Sequence, residues 1–402
     1  MALEYRSPTD DELRAVLRTT HTAFGEEVRD DEVERLRKVL PLDRVLAAWD
    51  VERPVGVTAS YPFELTVPGG QARAAGVTLV GVLPSHRRRG ILRELALRQF
   101  EDVHERGESV AILYASESRI YERFGYGLGA PSTRLDAVRS AFGLRDDPGV
   151  SGTARLVSAD EAVELFPPIY ERLRQQRAGF LGRTRDWWTE QRLADPEQLR
   201  DGGSPKYYVL LEFDGEPVAY AIYRIVPRWD DSIPRGTVHV FEAFALSPAA
   251  SRELWRFLFG IDLVESVVMR SADPAMPLFL SVEDPRRLHP SINDGLWLRL
   301  VDVEAALRAR RFEKVTPAVL ELTDSFLTRN AGRFSIGHEP ERTKAAADVA
   351  LDVTDLAAAY LGAFSFEQLA AAGRATELRP GGIARATALF AAVLPPYCPE
   401  NF

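Results

Sequence analysis

The fold is best approached from residues 77–92, which read Val77-Thr78-Leu79-Val80-Gly81-Val82-Leu83-Pro84-Ser85-His86-Arg87-Arg88-Arg89-Gly90-Ile91-Leu92. Their apolar, β-branched start predicts a buried strand, and apolar residues three and four apart after Leu92 predict a helix. A strand that leads through a glycine turn into a helix start aims several free backbone N–H groups at one point. The positive end of the helix dipole and three arginines make that point suitable for a pyrophosphate. The stretch therefore predicts an α/β fold with an anion-binding turn.

Two common nucleotide-binding motifs are absent from this turn. It is not a Walker loop, because no Gly-Lys-Ser/Thr follows, and it lacks the Gly-x-Gly-x-x-Gly of dinucleotide-binding folds. The turn resembles the acetyl-CoA loop of the GNAT N-acetyltransferases, Arg/Gln-x-x-Gly-x-Gly/Ala, read here as Arg87-x-x-Gly90-x-Leu92. Leu92 departs from this pattern, since the family prefers a small residue there. On the residues alone, a strand–helix turn with a solvated basic patch is the alternative.

A second segment lies about 25 residues after the arginines. Val110–Ser116 is apolar and predicts another buried strand, and Glu117–Gly127, with the letters ESRIYERFGYG, predicts a short helix broken by glycines. The two segments together resemble the enhanced intracellular survival (Eis) family of actinobacterial acetyltransferases, and the resemblance covers the whole chain. It implies two tandem GNAT folds, the second of them degenerate, followed by a sterol-carrier-protein-like α/β domain.

Composition limits the classes of protein that this chain can belong to. With 402 residues, 46% hydrophobic and 27% charged, it is typical of a soluble globular protein with two or three domains. The net charge of −9 argues against a general nucleic-acid binder and permits attraction of cationic substrates. We expect a cytoplasmic protein, because neither a signal peptide nor an apolar run of 18 residues occurs.

Metal and disulfide chemistry are not expected. The six histidines are scattered without metal-ligand spacing, and one cysteine cannot form an internal disulfide. We interpret this residue, Cys398, as a small buried hydrophobe, with a reactive thiol as the alternative.

The order of predicted elements suggests three domains. Residues 1–150 are predicted to be the catalytic GNAT domain, and Asp146–Gly152 a linker after it. Residues 151–290 repeat the order of strands, but Ser247–Arg252 has no glycine and one arginine where the phosphate-binding turn would be. We therefore predict a degenerate copy that cannot hold the cofactor. For the remaining residues, 291–402, the resemblance to the Eis family implies the sterol-carrier-like domain.

Acetyl transfer from a thioester to an amine requires a held cofactor, a polarised carbonyl, a neutral amine and a protonated leaving thiolate. The resemblance implies the following residues around acetyl-CoA: Val80, Val82, Arg87, Arg88, Gly90, Ile91 and Ser116. In the family, a backbone N–H of Val82 or a neighbour polarises the carbonyl. Tyr126, a phenol with a reference pKa of ~10, suits protonation of the thiolate, with a buried core tyrosine as the alternative.

An acidic segment precedes the second predicted helix. From Glu26 to Arg35 there are six acids and two arginines, and for most of these acids a solvated helix start is the better interpretation. In the resembling family this turn between two helices borders the acceptor pocket. Phe24 would then form a hydrophobic wall and Glu26 an anionic contact for an amine.

The last residues, Pro399-Glu400-Asn401-Phe402, follow an aromatic and proline-stiffened run. Such a segment is expected to pack rather than to fray, although a mere chain end is the alternative. In the Eis family the terminal Phe carboxylate lies in the active site as general base, which implies this role for Phe402. A free carboxylate with a reference pKa of ~3.5 is a weak base, so burial must raise its pKa or a water must relay the proton.

These observations predict an acetyl-CoA-dependent N-acetyltransferase that acts on several amines of aminoglycosides and similar polyamines. Two alternatives stay open: a protein lysine Nε-acetyltransferase, and a non-catalytic lipid- or acyl-CoA-binding module. The family also implies a homohexamer. Five tryptophans suggest buried faces between domains or subunits, or simply domain cores: Trp187, Trp188, Trp229, Trp255 and Trp297.

Overall fold

The computed structural model describes residues 3–139, 143–144, 152–312 and 316–402. The chain forms two compact units: the first comprises Met1–Ala130, Leu296–Pro396 and Glu400–Phe402, and the second comprises Pro131–Gly295 and Tyr397–Pro399. Of the predicted linker Asp146–Gly152, only Gly152 is among the described residues. The boundaries between the three domains therefore stay predictions.

The elements follow one another in three groups. The first group is β1 (Glu4–Arg6), α1 (Leu13–Phe24), α2 (Asp30–Val39), β2 (Val45–Asp50), β3 (Arg53–Val67), β4 (Gly70–Val82), α3 (Ile91–Glu105), β5 (Val110–Tyr114), α4 (Ser118–Tyr121) and β6 (Gly127–Val138). The second is β7 (Thr153–Val157), α5 (Ala159–Arg174), α6 (Arg185–Trp187), β8 (Tyr207–Phe213), β9 (Glu216–Val226), β10 (Trp229–Asp230), β11 (Ile233–Pro234), β12 (Gly236–Ala245), α7 (Pro248–Gly260), β13 (Val264–Ala272), α8 (Leu278–Ser281) and β14 (Ser291–Leu300). The third is α9 (Val303–Ala309), β15 (Ala318–Thr323), β16 (Gly332–Ile336), β17 (Glu341–Arg342), β18 (Val349–Asp352), α10 (Val353–Tyr360), α11 (Phe366–Ala371), β19 (Ala375–Glu377) and α12 (Gly382–Phe390).

The first unit contains two sheets. Strands β1 to β5 lie side by side in sequence order, and Leu296–Leu300 of β14 pairs antiparallel with β5 on the side opposite β4. The other sheet, in the order β17-β16-β15-β18-β19, belongs to the C-terminal part of the chain. A strand from near residue 300 therefore completes the N-terminal sheet of this unit.

Helices α1 and α2 meet at a tight turn. Leu13, Val16 and Leu17 form the buried face of α1, which ends at Gly25 with a left-handed φ of +77°. Helix α2 begins with Asp30, Asp31 and Glu32 in its first turn, where the helix dipole stabilises acidic side chains.

A buried arginine, Arg310, links the ends of two helices in the C-terminal part of the first unit. Arg310 donates hydrogen bonds to the carbonyl oxygens of Tyr360 and Leu389, at the last turns of α10 and α12. Burial lowers the pKa of Arg310 to about 10. Because helix C-termini carry partial negative charge, these carbonyls stand in for a carboxylate.

The second unit contains a run of six paired strands. Its order is β6-β13-β12-β9-β8-β7, with Thr133–Val138 of β6 paired to β13 and a parallel pair between β12 and β13. A buried carboxylate lies within it: Glu242 on β12 accepts hydrogen bonds from Arg183, Arg192 and Tyr220. The charges of both arginines outweigh burial and lower the pKa of Glu242 to about 2.

Most of the predicted burials are confirmed within the single chain. Cys398 is buried, as expected of a small hydrophobe. Four of the five tryptophans are buried, but Trp229, in the β10–β11 hairpin, is 59% exposed. Of the helices in the described residues, none is both long and apolar enough to cross a membrane.

Candidate active site

The site begins where two parallel strands separate. Strands β4 and β5 pair through Ala74–Gly76 and Val110–Ile112. Beyond that point, β4 continues to Val82 and β5 to Tyr114. A cavity of about 790 Å³ lies here, lined on one side by Val80, Gly81 and Val82 and on the other by Ser116 and Glu117. The two strand ends thus form the walls of a cleft.

A β-bulge shapes one wall of this cleft. Across β3 and β4, Val57 faces Gly81 while Ala59 faces Thr78, so that β4 carries one extra residue at Leu79–Val80. Leu79 has a φ of +53°, which is rare for a side chain of this size. A bulge leaves a residue out of the hydrogen-bond ladder and re-aims the strand. The backbone around Val80 is therefore freed from regular pairing at the cavity wall.

The arginine turn closes one end of the cavity. Gly90 precedes α3 with a φ of +80°, and a Cβ placed there would meet no atom within 4 Å. Because glycine has no side chain with which to cap the helix, the first N–H groups of α3 can serve an anion. Arg87 fixes the turn by donating to the carbonyl oxygens of Val82 and Ala23, each at 3.3 Å.

The structure brings all the predicted cofactor residues to this one cavity: Val80, Val82, Arg87, Arg88, Gly90, Ile91 and Ser116. Leu92, the departure from the family pattern, also lines it. In the second unit, by contrast, the Ser247 side chain caps α7 by accepting from the backbone N–H of Ala250. One of the first N–H groups of α7 is therefore already used by the Ser247 hydroxyl, which agrees with the predicted loss of the phosphate-binding turn.

Tyr126 lies beside the cavity rather than in its lining. It lines a second, small cavity that shares Val80, Leu92, Tyr121 and Phe124 with the large one. Tyr126 is buried, and burial raises its pKa far above the usual range. The side chain is therefore a neutral phenol near pH 7, the form that can donate a proton.

Phe402 occupies an aromatic cage. Its ring lies 5.1 Å from that of Phe63, 5.8 Å from that of Tyr114 and 6.3 Å from that of Tyr61, measured between centroids. These partners come from β3 and β5, and Gly76 of β4 lies beneath the ring, where a Cβ would be 3.1 Å from Phe402 Cε2. The segment packs as expected, at the place where β4 and β5 separate.

The two predicted acceptor residues are placed differently. Phe24 is half-exposed and lines the large cavity. Glu26 is exposed and does not belong to that lining; its backbone N–H donates to the carbonyl of His21 at 2.8 Å. The contact of Glu26 with an amine stays a prediction.

Phe326 was not anticipated from the sequence. It comes from the loop after β15 and lines the large cavity. Its ring packs at 5.1 Å from Phe124 and 5.9 Å from Phe100. No local pattern marks this residue, because its position at the cavity depends on a contact with a residue about 200 positions away.

In the described ranges, no group of three or more His, Cys, Asp or Glu side chains could hold a metal ion.

Two stretches of the chain match families of GNAT acetyltransferases, a class that uses acetyl-CoA, and the bulged strand and the glycine before α3 both lie in the first stretch. Residues 4–129 and 179–300 each match a family described as "Acetyltransferase (GNAT) domain", and residues 303–399 match "Sterol carrier protein domain".

Full-length relatives define the family. The chain is 40% identical to an uncharacterized N-acetyltransferase of Streptomyces avermitilis, over 94% of this chain and 95% of the relative. It is 34% identical to N-acetyltransferase Eis of Mycobacterium tuberculosis over 98% of both chains. The crystal structure of Eis1 from Mycobacterium abscessus superimposes with a TM-score of 0.86 at 33% identity, covering 99% of this chain and 100% of that one. The chain therefore belongs to the Eis family of N-acetyltransferases, which confirms the predicted fold class and enzyme class.

Proposed function

We propose that the protein transfers acetyl groups from acetyl-CoA to several amines of aminoglycosides and similar polyamines. One observation carries the proposal: seven residues assigned to acetyl-CoA line a single cavity of about 790 Å³ at the separated strands. Net charge of −9 and the half-exposed Phe24 at the cavity favour a cationic acceptor with apolar surface.

The chain offers a suitable place for the pyrophosphate. Arg87 and Arg88 are exposed at the turn, and the open space above Gly90 lets an anion approach the first N–H groups of α3. When bound, acetyl-CoA supplies the acetyl group and a thiolate leaving group. The backbone N–H groups near the bulge at Leu79–Val80 would hydrogen-bond the thioester carbonyl oxygen.

Proton transfers are assigned to two groups. Tyr126, a neutral phenol near pH 7, gives its proton to the departing sulfur. The carboxylate of Phe402 takes the proton that the acceptor amine loses. The rings of Tyr61, Phe63 and Tyr114 hold Phe402 in place and supply π-faces that favour a nearby cationic amine.

The test is a thiol-release assay with a matched panel of acceptors. The panel contains aminoglycosides, linear polyamines, lysine peptides and simple monoamines, and mass spectrometry counts the acetyl groups on each product. We expect turnover and multiple acetylation with the first two groups. Higher kcat/KM with lysine peptides would favour a protein lysine Nε-acetyltransferase. Tight acetyl-CoA binding without turnover on any amine would favour an acyl-CoA-binding module.

Tyr126→Phe tests the assignment of the acid. The change keeps the ring and its contacts with Phe100 and Tyr121 but removes the proton. Turnover should fall by about 10²- to 10⁴-fold with unchanged thermal unfolding. Wild-type turnover in this variant would contradict the role of Tyr126.

We also propose that the protein assembles as a homohexamer, as the family resemblance implies. Trp229 and Ile233, both more than half exposed on the β10–β11 hairpin, offer apolar surface for subunit contact. Sedimentation velocity at micromolar concentration should give a species of about six chains, and a monomer would contradict this proposal.

A further inference from the structure

A buried arginine lies behind the proposed acid. Arg299 belongs to the buried second half of β14, Leu296–Leu300, and has no exposed surface. Its Nη2 donates to Asp324 Oδ2 at 2.5 Å. Within the part of the chain that the structure describes, neither its Nε nor its Nη1 has a hydrogen-bond partner. Buried guanidinium groups normally use most of their donors, so this incomplete bonding calls for an explanation.

The guanidinium is adjacent to the turn that carries Tyr126. A Cβ on Gly125 would lie 2.0 Å from Arg299 Nη1, so residue 125 must be glycine for the guanidinium to fit there. Gly125 also has a left-handed φ of +83°. Phe100 contacts both partners: its ring lies 5.8 Å from Arg299 Cζ and 5.9 Å from the ring of Tyr126.

We propose that Arg299 is a positioning residue that supplies the counter-charge for the tyrosinate formed when Tyr126 gives up its proton. The inference rests on the proposed function, in which Tyr126 is the acid. In that step the phenolic O–H bond breaks, the proton goes to the leaving sulfur, and the electron pair stays on the phenolate oxygen. Arg299 keeps its own protons throughout, and a solvent proton later restores the phenol.

The need for a counter-charge follows from burial. Ionisation of a buried phenol is costly, and burial is the largest influence on the pKa of Tyr126. Tyr121 raises this pKa further, whereas Arg299 lowers it. Arg299 in turn faces the acids Asp324 and Asp352 as well as Tyr126, and these favour its charged form against the effect of burial.

A merely structural ion pair would behave differently. If Arg299 and Asp324 served only the core, removing either partner would damage the fold in the same direction. If Arg299 stabilises the phenolate, the two removals have opposite electrostatic effects on Tyr126. Arg299→Met leaves a bare carboxylate, which disfavours the phenolate, whereas Asp324→Asn leaves an uncompensated guanidinium, which favours it.

The experiment places a fluorinated tyrosine at position 126, because fluorine lowers the phenol pKa into an accessible range, and follows its ionisation by ¹⁹F NMR without any substrate. Arg299→Met should raise the pKa of this phenol by about 1–2 pH units, and Asp324→Asn should lower this pKa. Arg299→Lys should recover part of the difference. In unlabelled enzyme, Arg299→Met should lower kcat about 10- to 100-fold while the KM for acetyl-CoA stays within about twofold.

The controls distinguish failure of the Arg299 proposal from failure of the assignment of Tyr126 as the acid. Arg310→Met removes another buried arginine, one bound to backbone carbonyls, and should leave the phenol pKa unchanged. If Arg299→Met does not fold, the double variant Arg299→Met/Asp324→Asn leaves no unpaired charge and should still raise the phenol pKa. Shifts of the same sign in both single variants, or no shift in either, would overturn the proposal. Full activity of Tyr126→Phe would instead overturn the assignment of the acid.

Discussion

The ring of Phe402 stands edge-on to the ring of Tyr114, with 5.8 Å between centroids and 89° between planes. Tyr114 is the last residue of β5, two residues beyond the point where pairing with β4 stops. The C-terminal ring is thus held beside the point where the two strands separate, next to Gly76, and it is not among the residues that line the large cavity. Edge-to-face contacts of this kind contribute about 0.5–1.5 kcal/mol each beyond burial.

Tyr114→Leu removes this contact and should loosen Phe402. We expect kcat/KM for an aminoglycoside to fall about 3- to 10-fold, which corresponds to one aromatic pair, with the KM for acetyl-CoA unchanged. Steady-state kinetics with each substrate varied in turn measures both values. Tyr207→Leu, which removes a stacked pair with Tyr223 in the second unit, is the matched control. Equal losses in both variants would argue against a role of Tyr114 at the acceptor.

A C-terminal amide on Phe402 removes the charge of the proposed base with almost no change of shape. Turnover should fall by about 10²- to 10⁴-fold, as expected for loss of a general base. Semisynthesis of the last residues gives the amide, and the same ligation with the natural acid is the control. Residues added after Phe402 should be far more harmful than a tag on the N-terminus. Unchanged turnover of the amide would exclude the carboxylate as base.

Gly90→Glu should raise the KM for acetyl-CoA at least tenfold, because a negative charge enters the proposed phosphate site at a position with a φ of +80°. Gly90→Ala carries the same backbone strain without the charge and should have the smaller effect. Isothermal titration with acetyl-CoA separates binding from turnover. Since a Cβ at this position meets no atom within 4 Å, both variants should fold. An unchanged affinity of Gly90→Glu for acetyl-CoA would contradict the assignment of this turn to the pyrophosphate.

Glu242 should make the stability of the second unit acid-sensitive. Its pKa is lowered from 4.5 to about 2, so between these values the unfolded chain binds more protons than the folded one. Stability should therefore be complete above pH 4.5 and decrease as pH falls toward 2. Glu242→Gln leaves Arg183 and Arg192 without their carboxylate and should cost about 3–5 kcal/mol at pH 7. Urea unfolding at pH 7 and between pH 4.5 and 2 measures both effects. A wild-type profile that is flat between pH 4.5 and 2 would contradict the acid sensitivity, and wild-type stability of Glu242→Gln at pH 7 would contradict the cost.

Local patterns explain why part of the site could be predicted. The arginine turn and Gly90 lie between a strand and a helix that are contiguous in sequence, so their chemistry and geometry can be inferred together. Strand β6 was missed, because Gly127, Gly129 and Pro131 weaken its strand pattern. Its pairing with β13 overrides that local preference.

Long-range contacts explain what could not be predicted. Phe326 reaches the cavity, and Phe63 reaches Phe402, through contacts between segments more than 200 residues apart. Arg299 offered a weak signal, as a lone charge in the apolar run Leu296–Leu300. A single charge in a strand does not reveal its partner, and only the fold shows that it faces Asp324 and Gly125.

The pairing of β5 with Leu296–Leu300 also constrains the order in which the protein can fold during translation. About 180 residues separate Tyr114 from Leu296, and at ~5–20 residues per second the ribosome needs roughly 10–40 s to make them. During that interval one edge of β5 lacks its partner strand, and an unpaired strand edge invites association with other chains. The main segment of the second unit, residues 131–295, is synthesised within it. The middle of the polypeptide can thus acquire much of its structure before β14 completes the N-terminal sheet, but its core stays incomplete until Tyr397 has been synthesised.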